Sequence, residues 1–180
     1  MFQVFRNAWM DTQLRKKILY TLFIIVLFRL GSNIFVPFLD NSAISTMMGG
    51  ASLLNYLDVM TGGSLGKGTL LAMSITPYIN ASIIIQLLGI AIPSLEELSH
   101  QGEEGKKKLN RITRYSTIAI ALLQGLAFFL LMKNNGMLLI DGSTVWAGLV
   151  IVATFTAGSS LVMWLAEQIT AFGISNGISI

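Results

Sequence analysis

A serine in a glycine-rich stretch is the first residue of this chain that could do chemistry. Ser64 lies in Gly62-Gly-Ser-Leu-Gly66, which fits the G-x-S-x-G pattern of a hydrolase nucleophile. That chemistry needs a strand–turn–helix setting and a histidine base. The single histidine, His100, falls in a charged loop that we expect on the opposite face of a membrane. The pattern therefore does not predict a catalytic serine.

Two further motifs also fail to indicate an enzyme. The stretch Ala157-Gly-Ser-Ser160 has the serine of an intramembrane protease, but no predicted span contains a histidine, so we interpret it as close helix packing. The stretch Gly62–Thr69 differs from a phosphate loop in its glycine spacing and in having Gly68 after Lys67. With no cysteine and one histidine, the chain has little material for a metal centre. We expect neither an enzyme nor a bound cofactor.

Composition indicates an integral membrane protein. Of the 180 residues, 53% are hydrophobic and 12% are charged, against roughly 25% charged residues in soluble domains. Four apolar stretches are predicted to span a membrane, at 18–36, 70–92, 112–132 and 145–165. Arg29 lies inside the first of them, where it either snorkels to the membrane surface or contacts a neighbouring span. Pro37 is expected to end that helix.

The placement of basic residues predicts the orientation of these spans. Nine of the twelve Lys and Arg residues fall in 1–17 and 93–114, which places both segments in the cytoplasm. Residues 1–17 are predicted to form an amphipathic helix on the inner membrane surface, although a secretory signal is the alternative. Its apolar residues stand at helical spacing: Phe2, Phe5, Trp9 and Leu14. The other predicted segments are an external loop at 37–69, a cytoplasmic loop at 93–111, an external loop at 133–144, and a cytoplasmic turn with the start of a fifth span at 166–180.

The second predicted span, Leu70–Ile92, is the one around which the rest is arranged. It carries no charge, but polar residues and a proline interrupt it: Ser74, Thr76, Pro77, Asn80, Ser82 and Gln86. Polar groups in lipid are costly, so this face should meet protein or water. Pro77 is expected to break the helix, and the glycines of 61–69 form a flexible joint before it. The pattern is typical of an element that lines a path and moves.

A short apolar stripe precedes that joint. Its residues stand at helical spacing: Leu53, Leu54, Leu57 and Met60. The resulting helix, at about 53–61, is too short to cross a bilayer. It either lies on the outer surface or folds back into a cavity shielded by protein.

Three ordered blocks of sequence carry a family resemblance. Residues 72–88, AMSITPYINASIIIQLL, resemble the second span of the SecY family, the protein-conducting channels of the bacterial Sec translocon. The resemblance continues in 101–115, which contains QGEEGKKKLN and TRY, and in 163–179, which contains MWLAEQIT and GISNGIS. It implies an all-α membrane protein: a bundle of four complete spans and a re-entrant plug helix. This would be the N-terminal half of a ten-span, pseudo-symmetric channel.

The resemblance implies a role for each part of the chain. Ile75 and Ile79 match positions of the hydrophobic pore ring, and they stand four residues apart on one helical face. The plug residues would be Leu53, Leu54, Leu57, Met60, Gly62 and Gly63. The lateral gate would involve Gln124, with Asn80 and Gln86 as neighbours. The implied partners are the SecE and SecG subunits, the SecA motor ATPase, the ribosome, signal sequences and nascent polypeptides, and the lipid bilayer. The implied location is the bacterial inner membrane.

A small-molecule secondary transporter is the alternative function. Broken helices with polar residues near the membrane centre also occur in that class. Ion-coupled transporters usually need an acidic residue inside a span, and the spans at 70–92, 112–132 and 145–165 contain none. The channel is therefore the favoured interpretation.

Overall fold

The computed structural model describes residues 11–50, 55–56, 58–59, 61–139 and 144–179. Six helices are defined there: α1 (Thr12–Gly31), α2 (Asn41–Gly50), α3 (Thr76–Ala91), α4 (Pro93–His100), α5 (Gly102–Asn134) and α6 (Thr144–Phe172). Within these ranges, strand-like pairing is limited to isolated bridges from Phe35 to Thr69 and from Leu39 to Leu138. The predicted all-α class is confirmed. The predicted amphipathic residues Phe2, Phe5 and Trp9, and the plug residues Leu53, Leu54, Leu57 and Met60, lie outside the described residues.

Helix α1 begins earlier and ends earlier than the predicted first span. The expectation that Pro37 ends the helix is wrong, because α1 ends at Gly31. There the Ser32 hydroxyl and the Asn33 side-chain amide both donate to the Arg29 carbonyl, at 2.8 Å each. Side chains that satisfy the last carbonyls allow the backbone to leave the helix. At the other end, Asp11 caps the helix by accepting from the Gln13 amide at 2.9 Å.

Helix α2 follows a second aspartate cap. The Oδ1 atom of Asp40 accepts from the Ser42 amide at 3.0 Å and from the Ala43 amide at 3.2 Å. The Ser42 hydroxyl, together with the Ala43 amide, holds the pKa of the Asp40 carboxyl below its usual value. The cap therefore keeps its charge at neutral pH and fixes where α2 begins.

Helix α3 is interrupted where the sequence predicts. The helix starts at Thr76 with Pro77 in its first turn, where a missing N–H costs nothing. Before it, consecutive turns carry the chain through 70–75, and Ser74 has a positive φ of 50°. The helical part of the predicted span is therefore 16 residues long.

The predicted cytoplasmic loop at 93–111 is largely helical. Helix α4 starts at Pro93, and α5 starts at Gly102, whose φ of 67° turns the chain sharply between them. Gly105 lies so close to α4 that an added Cβ would stand 1.7 Å from the Leu98 carbonyl oxygen. Glu103 and Glu104 in the first turn of α5 favour a helix that begins here.

Helices α5 and α6 are long and apolar enough to cross a membrane. Each contains an 18-residue window of mean hydropathy 1.9. Helix α6 runs to Phe172, so the turn that we predicted from 166 onward begins only at Gly173. Large apolar side chains on the outer faces are exposed, such as Leu123 at 71% and Ile90 at 81%, as expected for helices in contact with lipid or further protein.

Helix α5 packs between α3 and α6, while α1 packs on α6 and α4 packs on α3 and α5. The main hydrophobic cluster lies where three connections meet the ends of these helices. It joins residues of 36–44, 65–73 and 132–137 to the buried Phe155 of α6. A smaller cluster of Ile24, Leu165 and Ile169 closes the seam between α1 and α6. Together these clusters fix the position of the turns that precede α3.

Candidate functional site

Ile75 and Ile79 lie one helical turn apart, on the same side of α3. The Ile79 amide donates to the Ile75 carbonyl at 3.1 Å, so Ile75, the residue that precedes α3, continues the hydrogen-bond pattern of the helix and lies one turn from Ile79. Ile75 is half-buried and Ile79 is 37% exposed, whereas Pro77 between them is buried. The helix therefore packs through Pro77 and leaves the isoleucine pair at the edge of the packed interior.

A groove of about 430 Å³ opens beside Ile75. We call it the Ile75 groove; its walls come from α1, from α6 and from Val59, Thr61 and Gly62, and Ile178 also lines it. The chain after α6 reaches it by folding back, since the Gly177 amide donates to the Thr170 hydroxyl at 2.9 Å. The Ile75 side chain thus borders open space and is not sealed in a solid core.

Arg29 lies on the wall of the Ile75 groove. Its Nη1 atom stands 3.7 Å from where a Cβ of Gly62 would be. The guanidinium therefore lies near the turn at Gly62, which is not one of the predicted spans, so the contact with a neighbouring span stays a prediction. Because the side chain is exposed and forms no ion pair among the described residues, it adds a positive charge to the wall of the groove that Ile75 also lines.

The glycine-rich segment 61–69 consists of ordered turns. Gly62, Gly63 and Gly68 take positive φ values of 66°, 78° and 58°, which glycine adopts without strain. Two backbone hydrogen bonds tie its end to the connection after α1, from the Val36 amide to the Gly68 carbonyl at 3.0 Å and from the Leu70 amide to the Ile34 carbonyl at 2.8 Å. We call this pairing of 34–36 with 68–70 the strap. It anchors one end of the predicted flexible joint.

The predicted lateral-gate residues lie on two packed helices but do not form one cluster. Gln86 of α3 donates to the Ser82 hydroxyl at 3.0 Å and lines a cavity of about 540 Å³ between α3, α4 and α5. Asn80 of α3 and Gln124 of α5 are half-buried. Within the described ranges, neither makes a side-chain hydrogen bond and neither lines that cavity.

An ion pair that the sequence did not predict joins α5 to α6. Arg114 donates to Glu167 through Nε at 2.7 Å and through Nη2 at 2.6 Å, a bidentate geometry. The partners are 53 residues apart in sequence, so helical spacing could not reveal them. The sequence did place Arg114 and Glu167 in two of the blocks that carry the family resemblance, 101–115 and 163–179.

Breaking this ion pair is expected to lower the stability of the protein only slightly, but the effects of changing Arg114 and Glu167 should depend on each other. Glu167→Gln should lower the free energy of unfolding by about 0.5–1 kcal/mol, because half-exposed ion pairs are screened by solvent. Glu167→Arg should cost more, since it places two positive charges together, and adding Arg114→Glu should recover most of that loss. Thermal unfolding of the detergent-solubilised full-length protein measures this. Glu97→Gln on α4 is the matched control, and equal effects of the two glutamine variants would contradict the prediction.

Comparison with known proteins places this geometry in a class. The fold resembles that of Sec61 in the canine ribosome-channel complex from the endoplasmic reticulum, with a TM-score of 0.63 over 91% of this chain and 34% of that one, at 20% identity. A second solved structure, of a protein-conducting channel, gives the same values. The helical bundle therefore has the fold of a protein-conducting channel.

Sequence relatives identify the family. The SecY family model matches residues 69–180, and the chain belongs to the SecY family. It is 43% identical over 185 residues to the protein translocase subunit SecY of Bacillus subtilis and 40% identical over 191 residues to that of Streptomyces griseus. These alignments cover 100% of this chain and 42% and 44% of the two relatives. The chain thus spans less than half the length of the curated relatives it matches.

Proposed function

We propose that the chain forms the N-terminal half of the channel subunit of the Sec protein translocase. The complete protein passes unfolded secretory polypeptides across the membrane and releases membrane segments sideways into lipid. The observation that carries the proposal is the SecY family match over 69–180, the part of the chain that contains α3 and the isoleucine pair. No step of this function requires the protein to make or break a covalent bond.

In this proposal α1, α3, α5 and α6 are the four spans. The case for α5 and α6 is their length and hydropathy. Helix α1 has 20 residues but carries Arg15, Lys16 and Lys17 at its start, which suits a span whose N-terminus stays at the cytoplasmic surface of the bacterial inner membrane. Helix α3 is short, and the turns at 70–75 complete the crossing inside protein, where irregular backbone is tolerated.

The pore ring is proposed to contain Ile75 and Ile79. Two bulky apolar side chains one helical turn apart, the first of which lines a groove, can close around an extended polypeptide while excluding hydrated ions. The segment 53–61 acts as the plug on the outer side of this ring, and the turns at 62–63 connect it to α3. Asn80 and Gln86 on α3, with Gln124 on α5, form one side of the lateral gate.

The proposed partners follow from this role. SecE and SecG complete the membrane complex, while SecA or the ribosome delivers the polypeptide from the cytoplasm. A signal sequence enters between this half of the channel and the half that the relatives contain in addition. The charged face formed by α4 and the start of α5 would lie at the cytoplasmic surface, next to these soluble partners.

A transport assay tests the proposal. Full-length protein is reconstituted with its co-purifying subunits into proteoliposomes, and an unfolded secretory polypeptide is added together with the motor ATPase and ATP. We expect the polypeptide to become protected from external protease only when its signal sequence is intact. Failure of protection, together with uptake of a small solute driven by an ion gradient, would instead favour the transporter. Co-purification of a small single-span subunit is the supporting observation.

A further inference from the structure

Asp58 holds the turns after it in place through three hydrogen bonds. Its Oδ1 atom accepts from the Gly66 amide at 2.6 Å, and its carbonyl accepts from the Gly63 amide at 2.8 Å and from the Thr61 hydroxyl at 3.0 Å. A carboxylate that accepts from a backbone amide forms one of the stronger hydrogen bonds in proteins. Asp58 therefore closes the chain from 58 to 66 into a compact loop.

The two ends of this loop differ in how firmly they are held. The Gly66 side is fixed, because Leu65 is only 2% exposed and the strap binds 68–70 to 34–36. The Asp58 side is open, since Val59 is 73% exposed and Tyr56 is 75% exposed. Gly63, between the two sides, has no atom within 4 Å of its Cβ position. The hydrogen bond of the Asp58 carboxylate thus connects the exposed residues around Asp58 to the fixed turn at Gly66.

We propose that Asp58 is the positioning residue that keeps the exposed segment attached to the fixed turn at Gly66. Rotation about Gly62 and Gly63 would move Asp58 away only after the hydrogen bond between the Gly66 amide and the Asp58 carboxylate is broken. The inference rests on the proposed channel function, in which this segment leads into the plug. In this proposal the Asp58 carboxylate stabilises the closed state of the channel, and Gly62 and Gly63 only permit the movement.

Gly66 provides an independent way to disturb the same contact. A Cβ on Gly66 would stand 3.0 Å from Oδ2 and 3.2 Å from the carboxyl carbon of Asp58. Gly66→Ala should therefore push the carboxylate aside. Once Asp58 is itself alanine, that crowding disappears, so the two changes should not add.

The experiment measures a distance in the full-length protein in lipid nanodiscs. Spin labels are attached to cysteines at Val59 and Ile34, which are 73% and 55% exposed, and this chain has no cysteine of its own. We expect Asp58→Ala and Gly66→Ala each to raise the displaced fraction about tenfold, as the loss of one charged hydrogen bond predicts. The double variant should match Asp58→Ala, and Asp58→Asn, which keeps an acceptor oxygen, should fall between it and the parent. Asp40→Ala, which removes the cap of α2, is the matched control and should change nothing.

Resting ion conductance of the same variants separates the possible failures. An unchanged distance in Asp58→Ala, or an equal change in Asp40→Ala, would overturn the role of Asp58, whatever the conductance. A displaced segment without any rise in conductance would leave the role of Asp58 intact and would count against the plug of the proposed function. Displacement with raised conductance supports both.

Discussion

Ile75→Gly and Ile79→Gly are each expected to raise the resting ion conductance of the reconstituted channel by on the order of tenfold or more. Ile75 is half-buried and Ile79 is 37% exposed, so losing either side chain removes part of the roughly 1.5–3 kcal/mol that full burial of an isoleucine contributes and leaves space that water and ions can enter. The two residues lie one helical turn apart, with the Ile79 amide donating to the Ile75 carbonyl at 3.1 Å, so each loss is expected to open the same side of the proposed pore ring. Planar-bilayer recordings of the full-length complex provide the measurement.

The control for this prediction is Ile84→Gly in the same helix. Ile84 is 45% exposed and is rotated by about 140° from Ile79, at roughly 100° per residue. The Ile84→Gly change introduces the same flexibility into α3 and leaves Ile75 and Ile79 in place. The conductance of this variant should therefore stay at the parent level. If all three variants leak equally, the effect comes from a weakened helix and the pore ring is not where we place it.

Gly158→Ala is expected to cause the largest loss of stability among single small substitutions in α6. A Cβ there would stand 1.9 Å from the Leu70 carbonyl oxygen and 2.8 Å from its carbon. These are backbone atoms, and the strap holds the Leu70 amide at 2.8 Å from the Ile34 carbonyl, so they cannot rotate out of the way. Overpacking of this kind costs about 1–3 kcal/mol. The measurement is the thermal midpoint of the solubilised full-length protein.

Gly89→Ala supplies the comparison for Gly158→Ala. Gly89 lies inside α3 and has nothing within 4 Å of its Cβ position. Alanine there should leave stability unchanged or raise it by about 0.5–1 kcal/mol, since glycine is the weaker helix former. A Gly158→Ala protein that unfolds at the parent temperature would mean that the turns at 70–75 do not pack against α6 as described.

The elements that sequence periodicity defines were predicted well, and their ends were not. The apolar stretches of α5 and α6 and the break at Pro77 follow from residue types within one segment. The end of α1 depends on Ser32 and Asn33 donating to the Arg29 carbonyl. These hydrogen bonds end the helix before Pro37, although Pro37 is the stronger signal in the sequence. The predicted span of α6 stopped at Leu165, where the apolar stretch ends, whereas the helix continues to Phe172.

The candidate site also has features that the sequence could predict and features that it could not. The position of Ile79 one helical turn after Ile75 follows from their spacing of four residues, so it could be predicted. The walls of the groove beside them come from α1 and α6, which are distant in sequence, and only packing brings them together. Asp58 had no role that the sequence suggested, because its partner is the amide of Gly66, and an amide carries no sequence signature.

The strap has a mechanical consequence for any opening of the bundle. It couples the C-terminal end of α1 to the approach to α3, and the Arg114–Glu167 pair couples α5 to α6. Because α3 also packs on α5 and α1 packs on α6, the four helices are joined in a closed ring of contacts and should move as one body. In the proposed channel, a passage toward lipid would then open at the edge of this body, against the half that the relatives contain in addition, and not between its own helices.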